Sequence, residues 1–351
     1  MRSAFFSIMI FLPPLVIGGR TLAMDFKPPT ASERLRAIGS TKELPENLRK
    51  ALEPGGDFEP IPIPKPGDWL AVHRETGQTF DEFVKSKSNR PDKRRSKIYL
   101  QPLGEFGFPQ SGGPPKGQIS LVEKLREYAS IYFAMQVEIL PCLTLNGSTI
   151  TTRINPHTRN RQILTGDVLV LLKKNLPADA FCVLAITMDD LYPDPSWNFV
   201  FGQASLRERV GVYSFARYDP AFYGYERGKD YEQILLRRSC KVLVHETSHM
   251  FGLTHCIYFK CVMNGSNHLQ ESDSRPLHLC PVCLRKAQYS FCSIQQDGAR
   301  TRFDVVDRYR NLFRFYQSSG FDGEAQWVAN RLKWILGAQA AQTIIEQGSE
   351  R

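Results

Sequence analysis

The sequence predicts a mixed α/β (α+β) fold. Three observations carry that reading. Apolar residues at helical spacing alternate with short β-branched runs between Lys97 and Tyr218. The last fifty residues are amphipathic and helical in pattern. At 351 residues and 42% hydrophobic, the chain can bury a core without disulfide staples, and its composition excludes a disordered protein.

The elements follow in order. Arg2 precedes the apolar run "AFFSIMIFLPPLVIGG", and "TLA" at Thr21 to Ala23 is a cleavage-like site. That is the layout of a signal peptide over residues 1–23, with an h-region too short to span a bilayer. The alternative is a start at Met24. A real leader implies secretion, with membrane contact only through an uncleaved leader; otherwise the protein is cytoplasmic or nuclear. Residues 24–96 read as an irregular arm with helical patches at "SERLRAIGS" and "PENLRKALE", an extended "EPIPIPKPG" linker and a basic loop. That loop, Lys85 to Lys97, carries +6 of the net +9. It reads as a solvated loop, with a nuclear-localisation or polyanion-binding patch as the alternative. The remainder is too weakly charged to suggest a nucleic-acid surface, and no nucleic-acid partner is expected.

"KIYLQPLG" opens the compact part as a strand. "ISLVEKLREYASIYFAMQVEIL" gives a helix with Leu121, Leu125, Tyr128, Ile131 and Tyr132 on one face, then a strand at "MQVEIL". "RQILTGDVLVLLKKNL" reads as a helix, and Phe181 to Thr187 as a buried central strand. "RVGVYSFARY" reads as a strand at an edge. A helix is predicted from Tyr231 to Phe251, with Leu235, Val242, His245 and His249 on one face. Two amphipathic helices separated by Gly320 close the chain. There are no internal repeats, and past the leader no segment approaches the roughly 18 apolar residues of a membrane span.

The chemistry concentrates in "VHETSHMFGLTHC", Val244 to Cys256, which holds three of the seven histidines. Residues four apart on a helix share a face, so His245 and His249 can aim two imidazoles at one cation. Gly252 stands where the helix must stop, since glycine alone takes the left-handed conformation there without strain. The chain can then turn back and bring His255 in as a third nitrogen. Three histidines leave the fourth position of a tetrahedral Zn²⁺ open for water, which suits catalysis rather than structure. Glu246 follows the first ligand, about 100° off the ligand face, where its carboxylate can take a proton from that water and return it to a leaving amine.

HExxHxxGxxH is the signature of the metzincin zinc peptidases, and the continuation "HCIYFKCVMNGSNHLQESDSRPLHLCPVC" resembles one branch of them, the archaemetzincins. The resemblance runs from about Lys97 to Tyr289. It implies a metzincin-like zincin with a mixed twisted sheet, backing and active-site helices, and a small C-terminal subdomain built on a four-cysteine zinc site. On that reading residues 97–300 are the catalytic domain and 301–351 a helical extension. The resemblance also implies that Met263 forms the methionine turn under the histidines, that "VGVYSFARY" is the edge strand pairing with substrate, and that the activity is aminopeptidase-like. Tyr289 and Tyr213 are oxyanion candidates to test.

Read physically, Cys256-x4-Cys261 and Cys280-x2-Cys283 are two thiolate hooks that close a structural zinc site; two disulfides or buried free thiols are the alternatives. Cys142, Cys182, Cys240 and Cys292 lack metal spacing and read as core residues. His268 and His278 read as surface or structural. Sequons occur at Asn146 and Asn264; a glycan on Asn264, beside Met263, would be hard to fit.

The expected function is zinc-dependent hydrolysis of peptide bonds, with two zinc ions per chain and a peptide or protein substrate. The alternatives are a narrow-specificity endopeptidase and a non-catalytic, zinc-stabilised peptide- or nucleic-acid-binding module. Glu246 argues against the module, because a structural site has no use for a general base.

Overall fold

A computed structural model of the chain describes residues 16–17, 20–21, 26–104, 120–145, 149–291 and 303–346. The leader (apart from a short pairing of Val16–Ile17 with Arg20–Thr21), the Asn146 sequon and Cys292 lie outside these residues. The described chain divides into two compact units, one of residues 89–252, the other of residues up to 88 with 253–291 and 303–346. Among the described residues no helix is long and apolar enough to cross a membrane.

The first unit is α/β. Its five-stranded sheet runs in the order Gln136–Ile139, Lys97–Leu103, Ala180–Thr187, Val210–Ser214, Gly202–Ala204. The first four strands are parallel, and Gly202–Ala204 pairs antiparallel to Val210–Ser214. All eight residues of the central strand, "AFCVLAIT", are buried, as expected where helices cover both faces. Lys97 pairs with Ala180 and Ile98 with Cys182, so Phe181 is the extra residue of a β-bulge. Because of that bulge Ala180 and Val183, three apart, enter the same core cluster. Val183, Ala185, Val210 and Val212 pack there with Val168, Leu169 and Leu172 of the Thr165–Lys174 helix.

Alternate strand residues point to the opposite face. The Tyr231–Met250 helix packs against these strands and against the Leu121–Phe133 helix. Phe251, just past its end, stacks on Phe133 (ring centroids 5.5 Å) and tilts onto Phe181 (4.2 Å), which pins the end of the helix to the core.

Three readings are corrected in this unit. "RVGVYSFARY" is not at the edge: Val210–Ser214 is flanked on both sides and wholly buried, and the edge strand beside it is Gly202–Ala204. Its apolar character reflects burial on both faces. Part of the segment read as one helix, Arg161–Leu164, is a strand in a separate three-stranded sheet, and the helix begins only at Thr165. Cys142 is exposed rather than buried, whereas Cys182 and Cys240 lie in the core.

In the second unit the arm is more ordered than its Pro and Gly content predicts. Thr30 with Glu33, and Thr79 with Glu82, form capping boxes that start the Ala31–Ile38 and Phe80–Lys85 helices. The Glu46–Leu52 helix ends on Arg331, whose fully buried guanidinium donates to the carbonyls of Lys50, Ala51 and Glu53 and to Asp57. Arg331 belongs to the Asp322–Leu336 helix, which packs on the Val305–Ser318 helix. Gly337, at φ 85°, breaks what reads as a single final helix and starts a third, Ala338–Glu346.

Candidate metal centres

The Tyr231–Met250 helix carries the first two histidines, and every residue from Ser239 to Met250 is buried. The Nε2 atoms of His245 and His249 lie 3.1 Å apart, as side chains one turn apart allow. Gly252 takes φ 87° and donates its N–H to the His249 carbonyl at 2.7 Å, a left-handed stop that turns the chain. Along this one short stretch a ring nitrogen from each of His245, His249 and His255 lies within 4.8 Å of the others.

Do these residues fit a cation? Two nitrogens at about 2.0–2.1 Å from one tetrahedral zinc stand about 3.3 Å apart. The 3.1 Å spacing fits. Imidazole binds zinc in its neutral form, and three of them leave room in the ligand count for a fourth donor.

Glu246 is 2% exposed, and burial pushes its carboxyl up to about 8. Its Oε2 has no hydrogen-bond partner among the described residues. The carboxyl rests on the edge strand: a Cβ built at Gly202 would stand 2.7 Å from Oε1 and 2.9 Å from Cγ. Only a residue without a side chain leaves Glu246 in that position. Sequence reasoning misses Gly202, since "FVFGQASL" carries no motif. A carboxyl held this way, with its pKa moved toward neutrality, is suited to exchanging protons.

Glu75 is also missed. Its Oε1 is 2.7 Å from His255 Nδ1 and accepts from the Trp69 indole N–H at 2.9 Å. Nothing in "HRETGQTF" signals it, because the pairing spans 180 residues.

The cysteines form a second cluster. The sulfurs of Cys256, Cys261, Cys280 and Cys283 lie within 4.8 Å of one another, and all four residues are buried. They are thiols rather than disulfides: Cys256 Sγ and Cys280 Sγ are 3.5 Å apart, against about 2.05 Å for a bond. Four sulfurs at about 2.3 Å from one zinc stand about 3.8 Å apart, so this set fits a closed tetrahedral site. Burial resists ionisation of Cys256, but hydrogen bonds from Cys261, Cys280 and Cys283 outweigh it and bring that thiol well below its usual range. Burial, then the bond with Cys256, raises Cys280.

Asn264 knits the first hook, Cys256 to Cys261, together. Its Oδ1 accepts from Cys261 N–H at 2.7 Å, and its Nδ2 donates to the carbonyls of Cys256 (2.7 Å) and Phe259 (3.0 Å). A glycan on that nitrogen would displace these bonds. Met263 is fully buried, and its carbonyl accepts from Cys256 N–H at 2.8 Å.

The remaining residues singled out in the sequence have other surroundings. His268 caps the Leu269–Asp273 helix through Nδ1 and meets Asp68 through Nε2. Glu271 stands near both, but its oxygens accept from the backbone of Trp69 and Asn267, and Asp68 accepts from Lys65. This cluster is a hydrogen-bonded clasp. His278 stacks on Trp327 at 3.7 Å, and burial, then the Arg331 charge, lowers it to about 3. Tyr213 is wholly buried against Phe215, and burial raises its phenol. Tyr289 packs on Phe80 and Phe83.

A model of Peptidase family M54 matches residues 140–289. The chain is 41% identical over 305 residues to archaemetzincin-2 of Macaca fascicularis, covering 79% of this chain and 80% of the relative. It is 40% identical over 302 residues to archaemetzincin-2 of Homo sapiens, covering 78% and 79%. These matches take in more of the chain than the Lys97 to Tyr289 stretch. A crystal structure of an archaemetzincin from Methanopyrus kandleri is 28% identical, covers 56% of this chain and 94% of its own, and has a TM-score of 0.39.

Proposed function

The chain belongs to the archaemetzincin family and is a zinc metallopeptidase acting on peptides or proteins, and from that premise we propose which residues do the work. His245, His249 and His255 hold the catalytic zinc, Glu246 is the general base and acid, and Cys256, Cys261, Cys280 and Cys283 hold a second, structural zinc. Met263 is the methionine turn, and Gly252 is the helix stop that admits the third ligand.

The observation that carries the reading is the pairing of an incomplete nitrogen set with a buried carboxyl. Three imidazoles supply too few donors to close a tetrahedral site. Glu246 sits next to the first of them in sequence, buried and held against Gly202. When bound, zinc supplies Lewis-acid activation of water and of the scissile carbonyl. Glu246 takes a proton at its carboxylate and passes it to the departing amine, so hydrolysis needs no covalent intermediate. Gly202–Ala204 ends the sheet beside Glu246, and although its three residues are buried it is the strand whose position suits pairing with a substrate backbone by strand addition. Its closeness to Glu246 favours it over Val210–Ser214 for that role.

The aminopeptidase-like preference rests on the family resemblance. It is tested by comparing cleavage of a free-amine peptide with its N-acetylated form; equal rates would mark an endopeptidase. The mechanism is tested by Glu246→Gln. We expect metal analysis to return two zincs per chain, before and after substitution, while hydrolysis falls by about 10²–10⁴-fold. Full activity in that variant would remove Glu246 from the mechanism. A single zinc in the wild type would remove one of the two sites.

A further inference from the structure

Glu75 and His255 are 180 residues apart in sequence, and their side chains meet at 2.7 Å. We infer that Glu75 is a positioning residue for the third zinc ligand, acting by accepting the Nδ1–H of His255. This rests on the reading of His255 as a ligand.

An ionised carboxylate only accepts, so the Nδ1 atom 2.7 Å from Glu75 Oε1 must carry the proton. A neutral imidazole has one N–H, which leaves Nε2 with its lone pair. The contact therefore selects the tautomer that can ligate through Nε2 and fixes the rotation of the ring about its Cβ bond. A carboxylate on the far nitrogen also makes the ligating nitrogen more basic, which strengthens its bond to a cation.

Glu75 is itself held. The same Oε1 accepts from Trp69 Nε1 at 2.9 Å. The Trp69 ring stands edge-to-face on His255 (5.0 Å, 83°) and stacks on His73 (3.8 Å). Gly265 touches the indole so closely that a Cβ there would lie 2.4 Å from ring atoms. The backbone N–H of Trp69 is bound by Glu271, at 2.9 Å, and the Glu271 helix is capped by His268. The Asp68, His268 and Glu271 clasp thus acquires a purpose: it seats the tryptophan that seats Glu75. Only 6% of the His255 side chain and 23% of the Glu75 side chain are exposed, so water competes weakly for this bond.

The test uses the full-length, zinc-loaded chain in competition with a chromophoric chelator, reading zinc retained per chain and thermal midpoint together. Glu75→Ala is expected to weaken the histidine-site zinc by about 10–100-fold. Glu75→Gln keeps an acceptor but loses the charge, and a smaller loss is expected. In both, the zinc of the four cysteines and the thermal midpoint hold. With cobalt in the histidine site, Glu75→Gln should shift the visible absorption, which a merely structural role would not do. His255→Ala must release the histidine-site zinc more readily than either variant; if it does not, the ligand assignment fails and the inference falls with it. If His255→Ala behaves as expected but both Glu75 variants hold zinc like the wild type, Glu75 alone is refuted. Loss of both zincs together with a fallen midpoint in Glu75→Gln would make Glu75 a folding residue and overturn the inference.

Discussion

The histidine set ends at His255 and the cysteine set begins at Cys256, yet the two are built by opposite means. Two of the histidines stand four residues apart on the buried C-terminal half of one helix, and a single left-handed glycine precedes the third. The cysteines come as two hooks separated by 18 residues, one on a loop and one at the N-terminus of the Pro281–Ser290 helix. Asn264 braces the first hook from within, and the second meets it through Cys280 N–H on Cys261 Sγ (3.3 Å) and Val262 N–H on the His278 carbonyl (3.0 Å). The charge differs as well. Neutral imidazoles leave a bound cation its full charge, whereas thiolates neutralise it. A set that leaves a position open and keeps the metal electrophilic suits chemistry. A set that closes the site and quenches the charge suits structure.

The largest expected effect falls on the closed set. Cys283→Ser should abolish the cysteine-site zinc and, because structural zinc binding contributes directly to folding, lower the thermal midpoint sharply. If the midpoint holds while one zinc is lost, the cysteine site is not structural and the contrast collapses. Asn264→Ala comes next. It strands the carbonyls of Cys256 and Phe259 and the N–H of Cys261, all buried, at about 1–3 kcal/mol for each group that water does not reach, read in a denaturant titration with zinc still bound. A neutral result would mean that the first hook holds its shape without Asn264. The smallest effect belongs to Gly202→Ala. The new methyl must displace the Glu246 carboxyl, so kcat should fall by about 10–100-fold with zinc content and midpoint unchanged. Unchanged kcat would show that Glu246 needs no seat on the edge strand.

Legibility followed the range of each interaction. The Tyr231–Met250 helix was readable to within a residue at its end, because apolar and histidine spacing both report helical geometry. The central strand was readable as an unbroken apolar run. Strand order was not: Val210–Ser214 is apolar enough for an inner strand and irregular enough for an edge, and only its neighbours decide. The helical content of the arm was also under-read, because Pro and Gly dominate its composition while Arg331, some 280 residues on, caps one of its helices.

The sequence by itself determined the family, the zinc chemistry and the candidate ligands. Residues within one or two helical turns are placed by backbone geometry, whatever the rest of the chain does. Tertiary structure alone decided that Gly202 is the seat of Glu246, that Glu75 meets Nδ1 of His255, and that Asn264 ties the first cysteine hook together. The first two are contacts across 44 and 180 residues of chain, set by packing and burial, and packing leaves no periodic mark in a sequence.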